Sequence, residues 1–357
     1  MMQDAVSGTR PAMTDADDIS ARRWSHAAAP RRILAIRLQA LGDTIITLPY
    51  LLAVRRRYPD AELHLLTRQE VAAVPQAMAQ FDRVVALGGD RNRLRTWLSA
   101  LLHVPALLAR RYDVVLDLQN NRISNFVRRA LRPEAWSRFD RFSPRPAGER
   151  TRRTIAAALD VDTGMDTALE LRKGGPDVDA LLRRHGWKAG SDLVVLNPAG
   201  YSPARAWPTA SYIEFARLWI ERHPRSQVVL LLLPAKRAKA MEISTALGEQ
   251  CIDLTGRADQ LEAFAIVGRA RLVLSEDSGL MHMAWTQGTP TLALFSDSRR
   301  DWSAPQGSWS DCLDSSDLPC GPCGLEVCKF GDNRCLTRYT AAQVVERAEK
   351  LSRPGPG

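Results

Sequence analysis

What this chain lacks narrows its nature quickly. Among its 357 residues the longest apolar run is 228–233, far short of the ~20 residues a membrane-crossing helix needs. No basic patch leads into an apolar stretch near the start, so a secretory leader is not expected, and the chain reads as soluble and cytoplasmic. Cysteine is scarce: there are six, four of them between 320 and 335. That excludes a disulfide framework and leaves reduced thiols or a metal. No G-x-G-x-x-G run follows the first strand of either half, which argues against a pyridine-nucleotide oxidoreductase.

Acid is short in one half only. Residues 31–153 hold 23 Lys and Arg against 11 Asp and Glu, whereas 1–30 and 154–357 are each slightly acidic, for a total of +9. A one-sided basic region suggests an acidic partner: nucleic acid, an anionic lipid surface or a phosphorylated substrate. An arginine-rich surface that merely keeps the chain soluble would look much the same. Nucleic acid is disfavoured, because the arginines carry no interleaved aromatics and no recognition-helix signature.

What is present is alternation. Residues 1–30 lack hydrophobic periodicity and read as a disordered lead-in. Strand-like apolar runs at 32–37, 62–66, 83–87 and 113–118 alternate with helical patterns at 44–58 and 93–110, which predicts a parallel sheet covered on both faces. Pro49 stands about two turns into the first helix and marks either a kink or a shift in the helix start. A linker is expected over 173–190, where Lys173 to Pro176 breaks the pattern before a short helix. A second unit follows, with strands at 193–196, 228–233, 251–254, 272–274 and 291–295 and helices at 211–222 and 235–247. The helix at 341–351 is expected to pack back across both lobes. A doubly wound α/β molecule with two similar lobes places its site in the cleft between them, where strands end.

Three strand ends draw attention. Residues 272–284 read as a short strand turning directly into a helix, with Asp277 or Ser278 to cap it, Gly279 to allow close backbone approach and His282 one turn on. Such a helix start suits a phosphate, although an ordinary capped turn has the same pattern. Gly42 and Asp43 open the first helix in a similar way, where Asp is commonly an N-cap. Gln119 and Arg122 follow the strand at 113–118. Cys320, Cys323, Cys328 and Cys335 follow a C-x2-C-x4-C-x6-C spacing, which could enclose a structural zinc or iron or leave four free thiols.

Taken in order, these marks resemble glycosyltransferase family nine, the bacterial lipopolysaccharide heptosyltransferases, over about residues 31–350. The resemblance rests on Ile33 to Arg37 with Leu41, Gly42 and Asp43, on Asp117 to Gln119, and on Asn197 to Gly200 with Trp207 and Pro208. It continues through Asp277, Ser278, Gly279 and His282, then Ala293 to Phe295, and Trp302 ahead of Pro305. It implies the GT-B fold, with an N-terminal acceptor domain over 31–172 and a C-terminal nucleotide-sugar domain over 191–338 that carries the cysteine-rich loop 319–335. It further implies inverting transfer of a heptose from ADP-heptose to a lipid-linked, anionic inner-core acceptor, with no cofactor needed for catalysis and peripheral contact with the inner membrane. By the same resemblance Asp43 is the catalytic base. Asn197, Gly200, Arg205, Trp207, Asp277, Ser278, Gly279 and His282 bind the donor, and Gly42, Gln119 and Arg122 bind the acceptor. Arg55, Arg56 and Arg57 are further acceptor candidates. Arg205 stands where the family commonly has Lys, and 234–239 lacks the acid often placed for the ribose. A different nucleotide sugar, or a protein acceptor, therefore stays open.

Overall fold

This computed structural model describes residues 19–89, 92–159, 161, 164–200, 206–351 and 353. The first sheet comprises β1 (Ala21–Arg22), β2 (Arg32–Ile36), β3 (Glu62–Arg68), β4 (Arg83–Leu87), β5 (Val114–Asp117) and β6 (Ala135–Arg138), in spatial order β1-β6-β5-β2-β3-β4. Around it lie α1 (Leu41–Arg57), α2 (Ala73–Ala77), α3 (Arg93–Leu108), α4 (Arg122–Leu131) and α5 (Ala147–Leu159). The second sheet comprises β7 (Asp192–Asn197), β8 (Ser226–Leu230), β9 (Cys251–Asp253), β10 (Leu272–Glu276), β11 (Thr291–Leu294) and β12 (Ser310–Leu313), in order β12-β11-β10-β7-β8-β9. Its helices are α6 (Val178–Arg184), α7 (Thr209–Arg222), α8 (Arg237–Leu247), α9 (Gln260–Arg269), α10 (Gly279–Trp285), α11 (Arg300–Ser303), α12 (Arg334–Thr337) and α13 (Ala341–Glu349).

Every pairing except β1 with β6 is parallel. Strands buried on both faces carry mostly apolar residues, which is why the cores of β5, β8, β10 and β11 read as apolar runs. β6, covered on its outer side only by the two-residue β1, and the edge strand β12 mix Ser, Arg and Asp with apolar residues, and that polarity hides them in the sequence.

Three expectations need correction and one gains detail. Part of the lead-in is ordered: β1 pairs antiparallel with β6, and Trp24 donates its backbone N–H to Ala158 O at 2.8 Å. The expectation of disorder for residues 1–18 lies outside the described residues. The stretch 173–190, expected as a linker with a short helix, holds α6, whose Val178, Leu181 and Leu182 are buried in the core. The first helix opens at Leu41, ahead of its expected start at 44, and runs through Pro49 to Arg57. Finally, α13 does not bridge the lobes. Its Val344, Val345 and Ala348 pack on α7 in the second lobe.

The lobes meet along helices. α1 lies against α10, α2 against α9, and α5 against α11. Ile45 and Leu48 of α1 belong to the same buried cluster as Met281 and Trp285 of α10. Tyr50 donates to Gln306 Oε1 at 2.9 Å across the junction, and Gln260 donates to Glu70 O at 3.0 Å. No described helix is long and apolar enough to cross a membrane.

Candidate active site

In a doubly wound sheet the crevice opens where two neighbouring strands lead their chains to opposite sides. Here those points are the C-terminal ends of β2 and β5 in one lobe, and of β7 and β10 in the other, since β2 lies between β3 and β5 while β7 lies between β8 and β10. Register completes the placement: Ile36 pairs with Asp117, and Ser275 with Asn197. The described residues expected at the site, apart from Arg55, Arg56, Arg57 and the cysteines, lie in or just beyond the four loops that leave these ends.

On the first lobe, Asp43 occupies the opening turn of α1. Its Oδ2 accepts the Ala40 backbone N–H at 3.0 Å, and its Oδ1 pairs with Arg37 at 2.8 Å. Partial burial alone would raise its pKa, but the Arg37 guanidinium and the Ala40 N–H outweigh that and hold the carboxyl below its ordinary range. It is therefore ionised at neutral pH. Arg37 is buried, donates to Leu118 O, and stacks on Phe139 with its guanidinium carbon 5.0 Å from the ring centroid. Arg150 stacks on the same ring at 5.0 Å and also acts electrostatically on Asp43.

Gln119 braces the loop before α1. Its Oε1 accepts the backbone N–H groups of Leu38 at 2.9 Å and Gln39 at 3.0 Å, so it clamps the loop that presents Asp43. Asp117 sits beneath, wholly buried, accepting from Gln119 N at 3.2 Å and Asn120 N at 2.8 Å, with its pKa raised by burial. Arg122 is exposed at the start of α4. It lines a cavity of about 1120 Å³ together with Trp97, Phe126, Arg129, Arg132 and Arg141. A second cavity of about 480 Å³ shares Trp97, Arg122 and Arg141 and reaches Leu38 and Gln39, three residues or so from Asp43.

On the second lobe the organising residue is one the sequence did not single out. Glu276, the last residue of β10, is 1% exposed. Its carboxylate accepts the backbone N–H of Gly200 and of Trp207, the latter at 2.8 Å, and the Tyr212 hydroxyl at 3.1 Å. Burial raises its pKa against the pull of Lys239 and these donors. One carboxylate thus staples both ends of the loop that follows β7. Its position directly before Asp277 was the available signal.

Asn197 ends β7 with its Oδ1 buried and unpartnered among the described residues. Gly200 is also held by Lys236, whose ammonium donates to its carbonyl. Trp207, expected to bind the donor, is fully buried. Its indole donates to Tyr339 O at 3.1 Å and packs edge-on to Tyr212. In this position it anchors the loop and presents no surface to a ligand. Arg205 lies outside the described residues.

Ser278 caps α10, its Oγ accepting from Met281 N at 3.3 Å. Asp277 and Gly279 flank it, both partly exposed. His282 is buried, and its Nδ1 accepts from the Trp285 indole at 2.9 Å, which leaves the ring proton on Nε2. Burial lowers its pKa more than the carboxylates of Asp277 and Asp43 raise it, so the ring is neutral at pH 7.

The two half-sites meet at this histidine. A Cβ on Gly42 would stand 2.5 Å from His282 Cδ2, and one on Gly279 would stand 3.3 Å from a Leu41 methyl. Gly42, expected as an acceptor contact, is the point where α1 approaches α10. Asp43 and Asp277, from opposite lobes, both act on the same imidazole. The carboxylates of Asp43 and Asp277 therefore share one cleft.

Other expectations fare differently. Arg55 donates to Gln80 O and pairs with Asp82, Arg56 pairs with Asp166, and Arg57 stacks on Tyr58. They stand twelve or more residues along α1 from Asp43, about 18 Å at 1.5 Å per residue, so they belong to the far end of the lobe and not to the cleft. Cys320, Cys323, Cys328 and Cys335 form no disulfide among the described residues. Among the described residues no group of three or more His, Cys, Asp or Glu is arranged to hold a metal ion, so the expected zinc or iron finds no support.

Comparison with known proteins agrees with this geometry. Residues 101–333 match glycosyltransferase family 9 (heptosyltransferase). Lipopolysaccharide heptosyltransferase 1 of Pseudomonas aeruginosa is 25% identical, over 90% of this chain and 98% of its own length. The glycosyl transferase family 9 structure from Veillonella parvula superposes with a TM-score of 0.75 at 20% identity, covering 90% of this chain and 97% of that one. An Escherichia coli heptosyltransferase solved with ADP-2-deoxy-2-fluoro heptose gives 0.63 at 17% identity, covering 89% and 99%. The two-lobed architecture is the GT-B fold, and the chain belongs to glycosyltransferase family 9, the heptosyltransferases.

Proposed function

We propose that this chain transfers a heptose from ADP-heptose to a hydroxyl of a lipid-linked inner-core saccharide in lipopolysaccharide assembly, with inversion and without a catalytic metal. The observation that carries the reading is the pairing of Asp43 with Asp277 about His282 across the cleft. In this reading Asp43 takes the acceptor hydroxyl proton as that oxygen attacks the anomeric carbon. The bond from that carbon to the phosphate oxygen breaks, and ADP departs with the electron pair. A placed carboxylate contributes about 10²- to 10⁴-fold to such a step. Arg37 and Ala40 fix its orientation at some expense of basicity.

The leaving diphosphate needs positive charge. α10 is only seven residues long, so its start supplies backbone donors but little macrodipole. Arg205, assigned from the sequence, and Lys236, which already holds Gly200, fit the remaining need, and an arginine can fork onto two phosphate oxygens. Asp277 accepts from hydroxyls of the donor sugar, and the neutral His282 shapes the pocket. The arginine-lined cavity around α4, which a smaller one continues toward the loop before Asp43, suits an anionic acceptor held at the inner face of the inner membrane.

The test compares thermal stabilisation by ADP, UDP, GDP, CMP and NAD, each with and without EDTA. A ligand that binds only the folded chain at a hundred times its Kd adds about 2.7 kcal/mol. ADP should give the largest rise, unchanged by EDTA, and transfer from ADP-heptose should likewise be indifferent to the chelator. Preference for UDP or GDP redirects the donor, and stabilisation by NAD alone overturns the class.

A further inference from the structure

The outer face of α3 is built the wrong way round for a water-facing helix. Thr96, Ala100 and Leu107 turn inward and are buried, as the period of 3.6 requires. Yet Leu94, Leu98, Leu101, Leu102 and Leu108 form a second apolar stripe on the opposite side, with Leu102 80% and Leu94 69% exposed. The spacing of four, three, one and six residues keeps them on one face over the ~24 Å length of the helix. Scattered surface leucines need no explanation, but a contiguous stripe marks a contact surface.

Arginines border the stripe on its described sides. Neither α3 nor α4, against which it packs, contains an Asp or Glu. Arg95, Arg122, Arg129 and Arg132 are all exposed on or beside these helices. Leu108 and Trp97 of α3 also line the arginine-bearing cavity of about 1120 Å³, which the smaller cavity continues toward the loop that presents Asp43.

From this juxtaposition we propose that α3 docks the first lobe onto an anionic lipid bilayer, its leucines entering the acyl boundary and the flanking arginines meeting acidic headgroups. Apolar insertion combined with a basic rim is the usual physics of an interfacial helix. A second copy of this chain fits poorly, because a two-fold contact would set the same arginines against each other. The proposal rests on the reading of a lipid-linked acceptor and deepens it. An acceptor standing in the membrane would meet the cavity mouth at headgroup level, and the sugar to be modified would lie inward toward Asp43.

The test is co-sedimentation of the full chain with phosphatidylglycerol/phosphatidylethanolamine vesicles and with phosphatidylcholine vesicles, for the wild type and for Leu98→Ser/Leu102→Ser. The wild type should bind the anionic vesicles and not the neutral ones. The double variant should partition about tenfold or more weakly, since two apolar side chains no longer leave water. Both proteins should melt alike and transfer at equal rates to a deacylated, water-soluble acceptor. Failure of the wild type to bind anionic vesicles overturns the docking face, as does undiminished binding by the variant. So does a wild-type dimer in sedimentation equilibrium that the two substitutions dissolve. If the wild type transfers heptose to no acceptor, the functional reading falls instead, and the vesicle result is read independently of it.

Discussion

The two lobes share one architecture but secure their ligand loops by opposite means. In the second lobe a single buried carboxylate, Glu276, gathers Gly200, Trp207 and Tyr212, and Trp207 locks the arrangement into the core. In the first lobe the loop before α1 is held by the amide of Gln119 and by the partly exposed Arg37–Asp43 pair, beside wide arginine-lined cavities. A charge held among fully buried donors fixes geometry firmly, because nothing else can satisfy those groups. An amide clamp at a solvent-facing crevice leaves room for adjustment. Under the proposed function, the difference suits a donor lobe that meets one small ligand and an acceptor lobe that must admit a large, variable one.

The sharpest separation of the two should come at Asp43. Asp43→Asn keeps the shape and can still accept the Ala40 N–H, but it cannot take a proton. Transfer should fall by about 10²- to 10⁴-fold, while ADP affinity, a property of the other lobe, stays unchanged by calorimetry. Retained turnover would remove Asp43 from the mechanism. The pH response has a definite sign. The folded pKa of Asp43 is depressed, so its ionised form persists through neutral and mildly acidic pH. Its ion pair with Arg37 stabilises the fold above the ordinary carboxylate value and is lost only as pH falls through the lowered one.

Glu276 should give the next largest effect, with the reverse pattern. Glu276→Gln removes the charge and aims an amide N–H₂ at donors that need an acceptor. Losing charged, buried hydrogen bonds of this kind costs about 1–3 kcal/mol. The KM for donor should rise by about ten- to a hundredfold, since 1.4 kcal/mol is tenfold, and the melting point should drop. Binding of the acceptor should hold. Should Glu276→Gln leave donor KM and stability alike untouched, the staple is not what shapes that half-site, and the contrast between the lobes loses its basis.

How much of this was readable beforehand follows from the physics of each element. The central strands announce themselves because burial on both faces demands continuous apolar residues, and the site loops follow from where such strands end. Asp43, Asp277 and His282 were legible because they sit at those ends within a recognisable order of motifs. β6 and β12, at and next to the sheet edges and only half buried, were not, because their exposed positions permit Ser, Arg and Asp. Arg37, Arg150 and Glu276 were missed for a related reason: their roles depend on partners 6 to 107 residues away, as when Glu276 reaches back to Gly200 or Arg150 to the ring of Phe139 and the carboxylate of Asp43. Trp207 was placed at the right loop but given the wrong work, and the clamp that Gln119 makes on the loop before α1 was not foreseen. A sequence marks a residue at a strand end without saying whether it faces the cleft or braces the backbone behind it.

Gly42 tests the seam between the lobes and carries the smallest expected effect. Its place is set by distance and not by backbone freedom: an alanine Cβ would lie 2.5 Å from His282 Cδ2. That ring cannot easily yield, because its Nδ1 is tied to Trp285 and its surroundings are buried. Gly42→Ala must therefore push α1 away from α10. Overpacking of this kind costs about 1–3 kcal/mol, and Asp43, the next residue, moves with the helix. The rate should fall about tenfold, with ADP affinity little changed and the melting point slightly lower. Because the strain is a clash with one ring, removing that ring should relieve it. In a double-mutant cycle, His282→Ala should cost less in the Gly42→Ala background than alone, a coupling of the size found for residues in direct contact. Strict additivity would mean that the two lobes do not touch here in solution, and that Asp43 and Asp277 come together by some other closure.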